Sequence, residues 1–408
     1  MKIKGIQING LYGFMNVSLE FTGETTVLYG INGSGKTGIL KLLGWFLSGD
    51  VDNLFNLEFH SARIVAESGN SHLPLTFKLI RDSDTPIIRV YKNDEELFRL
   101  AKQGEVVARS RQMLSLEREL GWNGPTIYIS TARGRGIDTS DLRILRAIGR
   151  GSVDVPPPLE RAIEDAVMSF KTAYSAMLGE ESALLTALRD AVLEKIAQPF
   201  PLHVEPETEM IRRLGNVVSH FTDFFEASLT PLFEIDEEGL REKLISDLPT
   251  IKLGAFATVL QLERLEEIVS AGVKGLDRVR QPIRHYLDVI NQFYAATGKQ
   301  CVVDDRTNSL SFQGQGNRPL EPASLSSGEK ELLFMLTIAA FGLEGRAKPG
   351  LLIVDEPELS LHVKWQETLL PSLRMLNPEM QIIAATHSPE IAASARPHLV
   401  AVDGGQSN

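Results

Sequence analysis

Residues Gly30 to Thr37, GINGSGKT, place two glycines, a lysine and a hydroxyl at the spacing G-x-x-x-x-G-K-T, with a third glycine between them. That pattern suits phosphate. Gly30, Gly33 and Gly35 let the backbone turn tightly around Asn32 and Ser34, so that N–H groups and a helix N-terminus face a polyphosphate. Lys36 would reach the β- and γ-phosphates, and Thr37 would place its hydroxyl on Mg²⁺, which makes ATP with Mg²⁺ the expected ligand. The apolar run Val27-Leu28-Tyr29 before the loop and the helix-like Ile39 to Leu47 after it supply the strand and helix such a loop needs.

A second group of residues completes the chemistry. Leu351-Leu352-Ile353-Val354 is a short apolar run that ends in Asp355 and Glu356. A buried strand of this kind delivers Asp355 to the Mg²⁺ shell opposite Thr37, the Walker B arrangement. Glu356, one residue on, can polarise the attacking water as general base, a role usually contributing about 10²–10⁴ in rate. His387 follows another apolar run, Ile382 to Ala385, and could donate to the γ-phosphate or to the water. Taken alone, a histidine after a strand is more often an ordinary polar loop residue. Ser326, Ser327 and Gly328 open a helix expected to run to about Phe341, and their N–H groups and hydroxyls form an anion site strengthened by the helix dipole.

These residues need a scaffold. Residues 1–30 alternate in the strand manner, with two strands before the P-loop strand, and β-like runs follow at Ala62–Ala66, Leu75–Ile80, Ile87–Tyr91 and Thr126–Ser130. The first 130 residues therefore read as a mixed sheet carrying one major helix. After GRGSVDVPPP, Gly149 to Pro158, apolar positions fall at helical spacing: Leu159, Ile163, Val167, Phe170, Tyr174 and Met177. Comparable patterns recur at Phe256–Ile268 and at Leu276–Phe293, and Pro199, Pro201, Pro206, Gly215 and Pro231 interrupt the insert before them too often for a long coiled coil, so a compact helical arm is expected. Gln300–Phe312 reads as a hairpin returning the chain to the head, and Gln313–Pro322 as a linker.

The 408 residues are 43% hydrophobic, ample for a core. No run of 18 apolar residues exists and the N-terminus lacks a secretory apolar region, so no membrane partner and a cytoplasmic location are expected. The single cysteine, Cys301, excludes an internal disulfide and a CxxC zinc site. A net charge of −11 argues against a constitutive grip on DNA. The cluster Arg133, Arg135, Arg143, Arg146 and Arg150 leaves two readings open, a solvated surface or a local nucleic-acid contact.

GINGSGKT, LSSGE, LLIVDEPELSLH and ATHSPE, in this order, resemble the P-loop, signature, Walker B with D-loop, and histidine switch of the ABC ATPase superfamily. The resemblance covers roughly residues 1–130 and 300–400. It implies an α/β fold, an ABC-type ATPase head with a mixed sheet split in sequence, plus a helical arm insert: head at 1–150, arm at 151–298, head again at 299–408. The family pattern also implies an ATP-gated homodimer, open to higher assembly, with Asp355 and Glu356 acting in their own site and Ser326 to Gly328 facing the ATP of the other subunit. LSSGE departs from the LSGGQ of transporter ATPases, and no Q-loop glutamine is identified; Ile129 to Arg133 is where its equivalent is expected.

The interrupted head resembles the RecF, SMC and OLD branch, and DEPELSLHVKWQ with IIAATHSPEIA is especially similar to compact ATPases of bacterial anti-phage systems such as Septu and PARIS. That resemblance implies a sensor that hydrolyses ATP and regulates a separate effector, a nuclease; an OLD protein would carry a Toprim nuclease after the head, and with the sequence stopping at Asn408 a nuclease is expected to be separate or absent. An ATPase of DNA repair or chromosome maintenance that clamps DNA is the alternative. The energising subunit of a transporter is a third reading, weakened by the long helical insert.

Overall fold

The structure is a computed structural model describing residues 2–21, 23–47, 51–67, 74–82, 87–101, 126–130, 158–197, 254–343, 348–395 and 398–402. Two compact units divide the chain, residues 1–173 with 285–408 in the first and 174–284 in the second.

In the first unit the β-rich N-terminal segment feeds two separate sheets. Strands β1 (Lys2–Leu11), β2 (Met15–Glu20), β4 (Ser61–Glu67), β5 (Pro74–Arg81), β6 (Ile87–Lys92) and β7 (Glu95–Ala101) form an antiparallel sheet in the order β2-β1-β4-β5-β6-β7. Strands β3 (Thr25–Tyr29) and β8 (Thr126–Ser130) instead join a five-stranded sheet with β12 (Leu351–Asp355), β13 (Gln381–Thr386) and β14 (Leu399–Ala401), ordered β14-β3-β13-β12-β8 and parallel at every pairing. Parallel central strands are covered on both faces, which is why Leu351–Val354 and Ile382–Ala385 are apolar without alternation and fully buried.

Helix α1 (Lys36–Leu47) has nine of its twelve residues buried, so it is core on nearly every side. Ile39, Leu40, Leu42, Leu43 and Phe46 share one cluster with Ile3, Ile6 and Ile8 of β1 and with Leu28, Ile353 and Ile383 of the parallel sheet. Burying each such side chain contributes about 1.5–3 kcal/mol, and here the gain comes from both sheets at once. A short helix α2 (Val51–Asn56) follows α1.

Long helices α3 (Pro158–Ala197) and α4 (Gly254–Tyr294) begin and end the insert. Their head-proximal turns belong to the first unit, where Phe170 and Tyr286 pack on Phe341 of α5 (Ser327–Phe341) with ring centroids 5.7 and 5.0 Å away. Within the second unit the helices run antiparallel, as Arg280–Glu181, Gly275–Leu184 and Gly272–Leu188 contacts step in opposite directions along the chain. The two apolar patterns of residues 256–293 are therefore one helix of 41 residues, about 60 Å long at 1.5 Å per residue. The interrupting prolines from Pro199 to Pro231, and the boundary expected at residue 150, lie outside the described residues.

The expected hairpin is β9 (Gln300–Asp304) with β10 (Ser309–Gly314). What reads as a linker after it contains a third strand, β11 (Arg318–Leu320), paired antiparallel to β10 with Phe312 opposite Leu320. Its proline sits at a sheet edge, where the missing N–H costs no ladder bond. Helix α6 (Val363–Leu376) then links β12 to β13, and α7 (Pro389–Ser394) follows β13. Among the described residues no helix is long and apolar enough to cross a membrane.

Candidate nucleotide site

Strand register assembles the site. In the parallel sheet Asp355 pairs with Ala385, and Thr386 pairs with Tyr29, so β12, β13 and β3 end level with one another. The next residues on the three strands, Glu356, His387 and Gly30, emerge at one edge, the carboxyl edge where open α/β sheets bind ligands.

Gly33 and Gly35 adopt φ of +82° and +96°, a region an L side chain enters only at a cost of about 1–2 kcal/mol. A Cβ on Gly33 would meet nothing within 4 Å, so torsion and not crowding requires glycine there. Asn32 lies exposed at the crown of the loop while Ser34 is buried. Lys36 opens α1 with only 5% of its surface exposed, and its Nζ donates to the Gly30 and Ile31 carbonyls at 2.8 and 3.1 Å and to Ser34 Oγ at 3.5 Å. Burial pulls its ammonium below the usual lysine value, opposed by the charges of Asp355, Glu356 and Glu358.

Across from the loop, Thr37 Oγ1 donates to Asp355 Oδ1 at 3.3 Å. Burial pushes the Asp355 carboxyl up to about 6, with repulsion from Glu356 and Glu358 adding to it and the Thr37 hydroxyl and Lys41 opposing. A buried carboxylate among like charges, next to a hydroxyl and a lysine-bearing anion loop, fits a hard divalent cation shared with phosphate. One carboxylate and one hydroxyl also match Mg²⁺, which keeps most of its shell for water and phosphate, and no cluster of three His, Cys, Asp or Glu gathers among the described residues to suggest a closed cage.

Glu356 holds a left-handed backbone, φ +50°, fixed by its N–H on the Ala385 carbonyl at 2.8 Å and by Leu359 N–H on its own carbonyl at 3.2 Å. A strained glutamate kept by the structure around it is typical of a functional position. His387 Nε2 lies 3.8 Å from Glu356 Oε1, too long for a hydrogen bond and close enough for attraction when the imidazole is protonated.

Glu358 lies outside the set suggested by the motifs. Its Oε1 accepts the backbone N–H groups of His387 at 2.6 Å and Ser388 at 3.2 Å. Gln366 adds a second tie, accepting from Ser388 Oγ at 2.7 Å while its Nε2 donates to the Leu361 carbonyl at 2.9 Å. The third acid in DEPE is the only sequence signal for Glu358; Gln366 carries none.

Ser326 is the N-cap of α5 in a reciprocal capping box with Glu329. Buried Glu329 accepts from Ser326 N–H at 2.7 Å, Thr297 Oγ1 at 2.8 Å and Lys299 Nζ at 2.6 Å. Burial alone would raise its carboxyl; the Lys299 ammonium, the Ser326 N–H and the Thr297 hydroxyl outweigh it and hold the group below the usual glutamate range. Ser326 and Ser327 are exposed, and no hydrogen bond among the described residues joins Ser326–Gly328 to Gly30–Thr37. The structure thus gathers Lys36, Thr37, Asp355, Glu356 and His387 at one edge and leaves the signature serines facing outward. Of the stretch from Ile129 to Arg133, residues 131–133 lie outside the described residues, as does the arginine cluster up to Arg150.

Two family models match the chain: an AAA domain over residues 5–127, and an AAA domain described as a putative AbiEii toxin of a type IV toxin–antitoxin system over residues 212–393. Septu protein PtuA of Bacillus thuringiensis is 34% identical over 81 residues, covering 17% of this chain and 20% of PtuA. The DNA double-strand break repair Rad50 ATPase of Halobacterium salinarum is 37% identical over 95 residues, covering 21% of this chain and 11% of the relative. The matched segments thus span a fifth or less of these relatives' lengths. An Smc head bound to the C-terminal winged-helix domain of ScpA aligns over 99% of this chain and 96% of that one, with TM-score 0.49 and 14% identity. The chain is similar to ABC/SMC-like ATPases, with family models matching both the segment that carries the P-loop and the segment that carries Ser326, Asp355, Glu356 and His387. Its likeness to ATPases of bacterial anti-phage systems is one of sequence over short segments such as the one shared with PtuA.

Proposed function

We propose that this protein binds and hydrolyses ATP between two copies of itself and uses the cycle to regulate a separate effector, a nuclease, in anti-phage defence. The observation that carries the nucleotide reading is the Thr37–Asp355 contact at the level carboxyl ends of β3, β13 and β12. Loop N–H groups and Lys36 bind the β- and γ-phosphates, and Thr37 with Asp355 holds Mg²⁺, which supplies charge neutralisation on the phosphates. Glu356 accepts the proton of the attacking water. His387 orients that water or the γ-phosphate from beside Glu356. Ser326 and Ser327, exposed at a helix N-terminus, and the N–H of Gly328 beside them supply an anion site to the nucleotide of a second copy.

The defence role rests on the likeness to Septu PtuA and is an analogy of sequence. The likeness to the Rad50 ATPase favours a second reading, an ATPase that acts on DNA ends or chromosomes. Stimulation of hydrolysis by nucleic acid alone supports the second; co-purification with a nuclease from the neighbouring gene supports the first. For the ATP-gated pair, Glu356→Gln is the test: losing only water activation, it should hold ATP and sediment as a dimer with nucleotide and as smaller species without it. Identical sedimentation in both conditions would remove the dimer from the proposal.

A further inference from the structure

Between β12 and α6, residues Glu356 to Leu361 form a short loop closed on itself by Leu359 N–H on the Glu356 carbonyl and Leu361 N–H on the Glu358 carbonyl. Both ends of this loop are anchored elsewhere. At one end Glu358 Oε1 takes the two consecutive N–H groups of His387 and Ser388, so a single carboxylate oxygen fixes the backbone that carries the imidazole. At the other end Ser360 is pressed on the signature helix: a Cβ on Gly328 would lie 2.3 Å from the Ser360 carbonyl oxygen, and Ser360 Oγ donates to Glu331 Oε1 at 3.1 Å. The remaining oxygens, Glu358 Oε2 and Glu331 Oε2, are buried and make no hydrogen bond among the described residues. One oxygen of each carboxylate is thus buried without a partner at the two anchor points, an unfavourable arrangement unless the anchors themselves serve a purpose.

We propose that Glu358 is a positioning residue for hydrolysis, setting the reach of His387 toward Glu356, and that Ser360 makes this setting depend on the signature helix. The inference rests on the ATPase reading given above. Docking of a second copy's nucleotide on Ser326–Gly328 would load α5; the loop, seated on α5 at Ser360 and on the His387 backbone at Glu358, carries that load to the histidine of the same chain. Removing the clamp breaks none of the hydrogen bonds of Lys36, Thr37 or Asp355, so ATP affinity is largely retained while the catalytic geometry loosens.

The test uses the full chain with Glu358→Ala, Glu358→Gln and Ser360→Ala. A misplacement of the catalytic group by about 1 Å costs on the order of 100-fold in rate, so Glu358→Ala should lower kcat by about that factor with KM for ATP changed by less than about twofold. Glu358→Gln, whose Oε1 still accepts both N–H groups, should recover most of kcat. Amide hydrogen exchange at His387 and Ser388 should speed up in Glu358→Ala and stay slow in Glu358→Gln. Ser360→Ala should lower kcat while leaving exchange at 387–388 slow. If the alanine variant does not fold, Glu358→Asp, which withdraws the acceptor by one methylene, should give the same split. Unchanged exchange in Glu358→Ala, equal damage from Gln and Ala, or a KM that rises as kcat falls would overturn the positioning role; wild-type kcat in Ser360→Ala would overturn the link to the signature helix. Wild-type protein with no turnover that depends on Lys36 would overturn the ATPase reading together with this one, an outcome distinct from normal wild-type turnover with an indifferent Glu358.

Discussion

Thr37 Oγ1 and Asp355 Oδ1 stand 3.3 Å apart although 318 residues separate them in the chain. Helix α1 and strand β12 come from opposite halves of the sequence, and this contact marks where they are brought into one site. Lys36, beside Thr37, then has two tasks, tying the loop carbonyls and meeting phosphate. Lys36→Ala is expected to weaken ATP binding by about 100-fold or more, since a charge-assisted hydrogen bond to an ionised group is worth about 1.5–3 kcal/mol and Lys36 can offer more than one. Titration with a fluorescent ATP analogue in Mg²⁺ measures this; an affinity within a few fold of wild type would contradict the assignment of the loop.

Glu329 gives a pH-dependent expectation. Its carboxyl is held below the ordinary glutamate value by Lys299, Ser326 N–H and Thr297, so the folded state binds that proton less readily than the unfolded chain. The stabilisation is therefore complete above about 4.3 and is lost as pH falls through the lower folded-state value. Glu329→Gln leaves Lys299 without its charge partner and is expected to cost about 3 kcal/mol near neutral pH, as breaking one side of a buried pair does. Urea unfolding at neutral pH should show that gap, and the same measurement in acid should show it narrowed; a gap equally wide in both would mean that charge is not its source.

The parts of this site that read directly from sequence are those whose residue types answer to local rules. GINGSGKT is legible because Gly33 and Gly35 sit at torsions that glycine alone adopts readily, and β12 because a doubly covered strand must be apolar from Leu351 to Val354. Strand β8 runs Thr126–Ser130, as expected from its β-like run. Strand β7 escaped because Glu95 to Ala101 is a half-exposed edge with no alternation to read, and β11 because three residues including Pro319 look like a linker until β10 pairs with them. Helix α4 reads as two segments because Gly272 and Gly275 break its apolar stripe; at Gly272 a Cβ would stand 2.8 Å from the Leu188 methyls of α3. The clamp at Glu358 joins residues 29 and 30 positions away through tertiary packing, and no spacing rule encodes it.

Gly328 tests the seat of the loop on α5. An alanine methyl there would stand 2.3 Å from the Ser360 carbonyl oxygen, and neither can swing aside, the methyl being fixed to the α5 backbone and the oxygen being backbone itself. Either α5 or the loop must shift, at a cost of about 1–3 kcal/mol typical of overpacking. Gly328→Ala should therefore lower the unfolding midpoint modestly and reduce turnover much more than ATP affinity, because the shift falls on the loop that leads from Glu356 to the His387 clamp. An unmoved unfolding curve with unchanged turnover would contradict the close approach.

The orientation of Ser326 decides whether one chain is enough. Its oxygen caps its own helix, and its exposed face makes no hydrogen bond with Gly30–Thr37 of the same chain among the described residues, so an intramolecular role at that phosphate site has no contact to support it. Ser326→Arg should then abolish turnover while leaving ATP affinity near wild type, apart from about 1 kcal/mol of stability lost with the cap. Lys36→Ala fails for the opposite reason. Mixed one to one, the two inactive proteins can form a pair in which the intact P-loop of the Ser326 variant faces the intact signature of the Lys36 variant, and random mixing should return about a quarter of wild-type turnover. A mixture as inactive as its parts, or an ATP affinity in Ser326→Arg as poor as in Lys36→Ala, would place the serine in its own chain's site and leave the outward face of α5 to some other use.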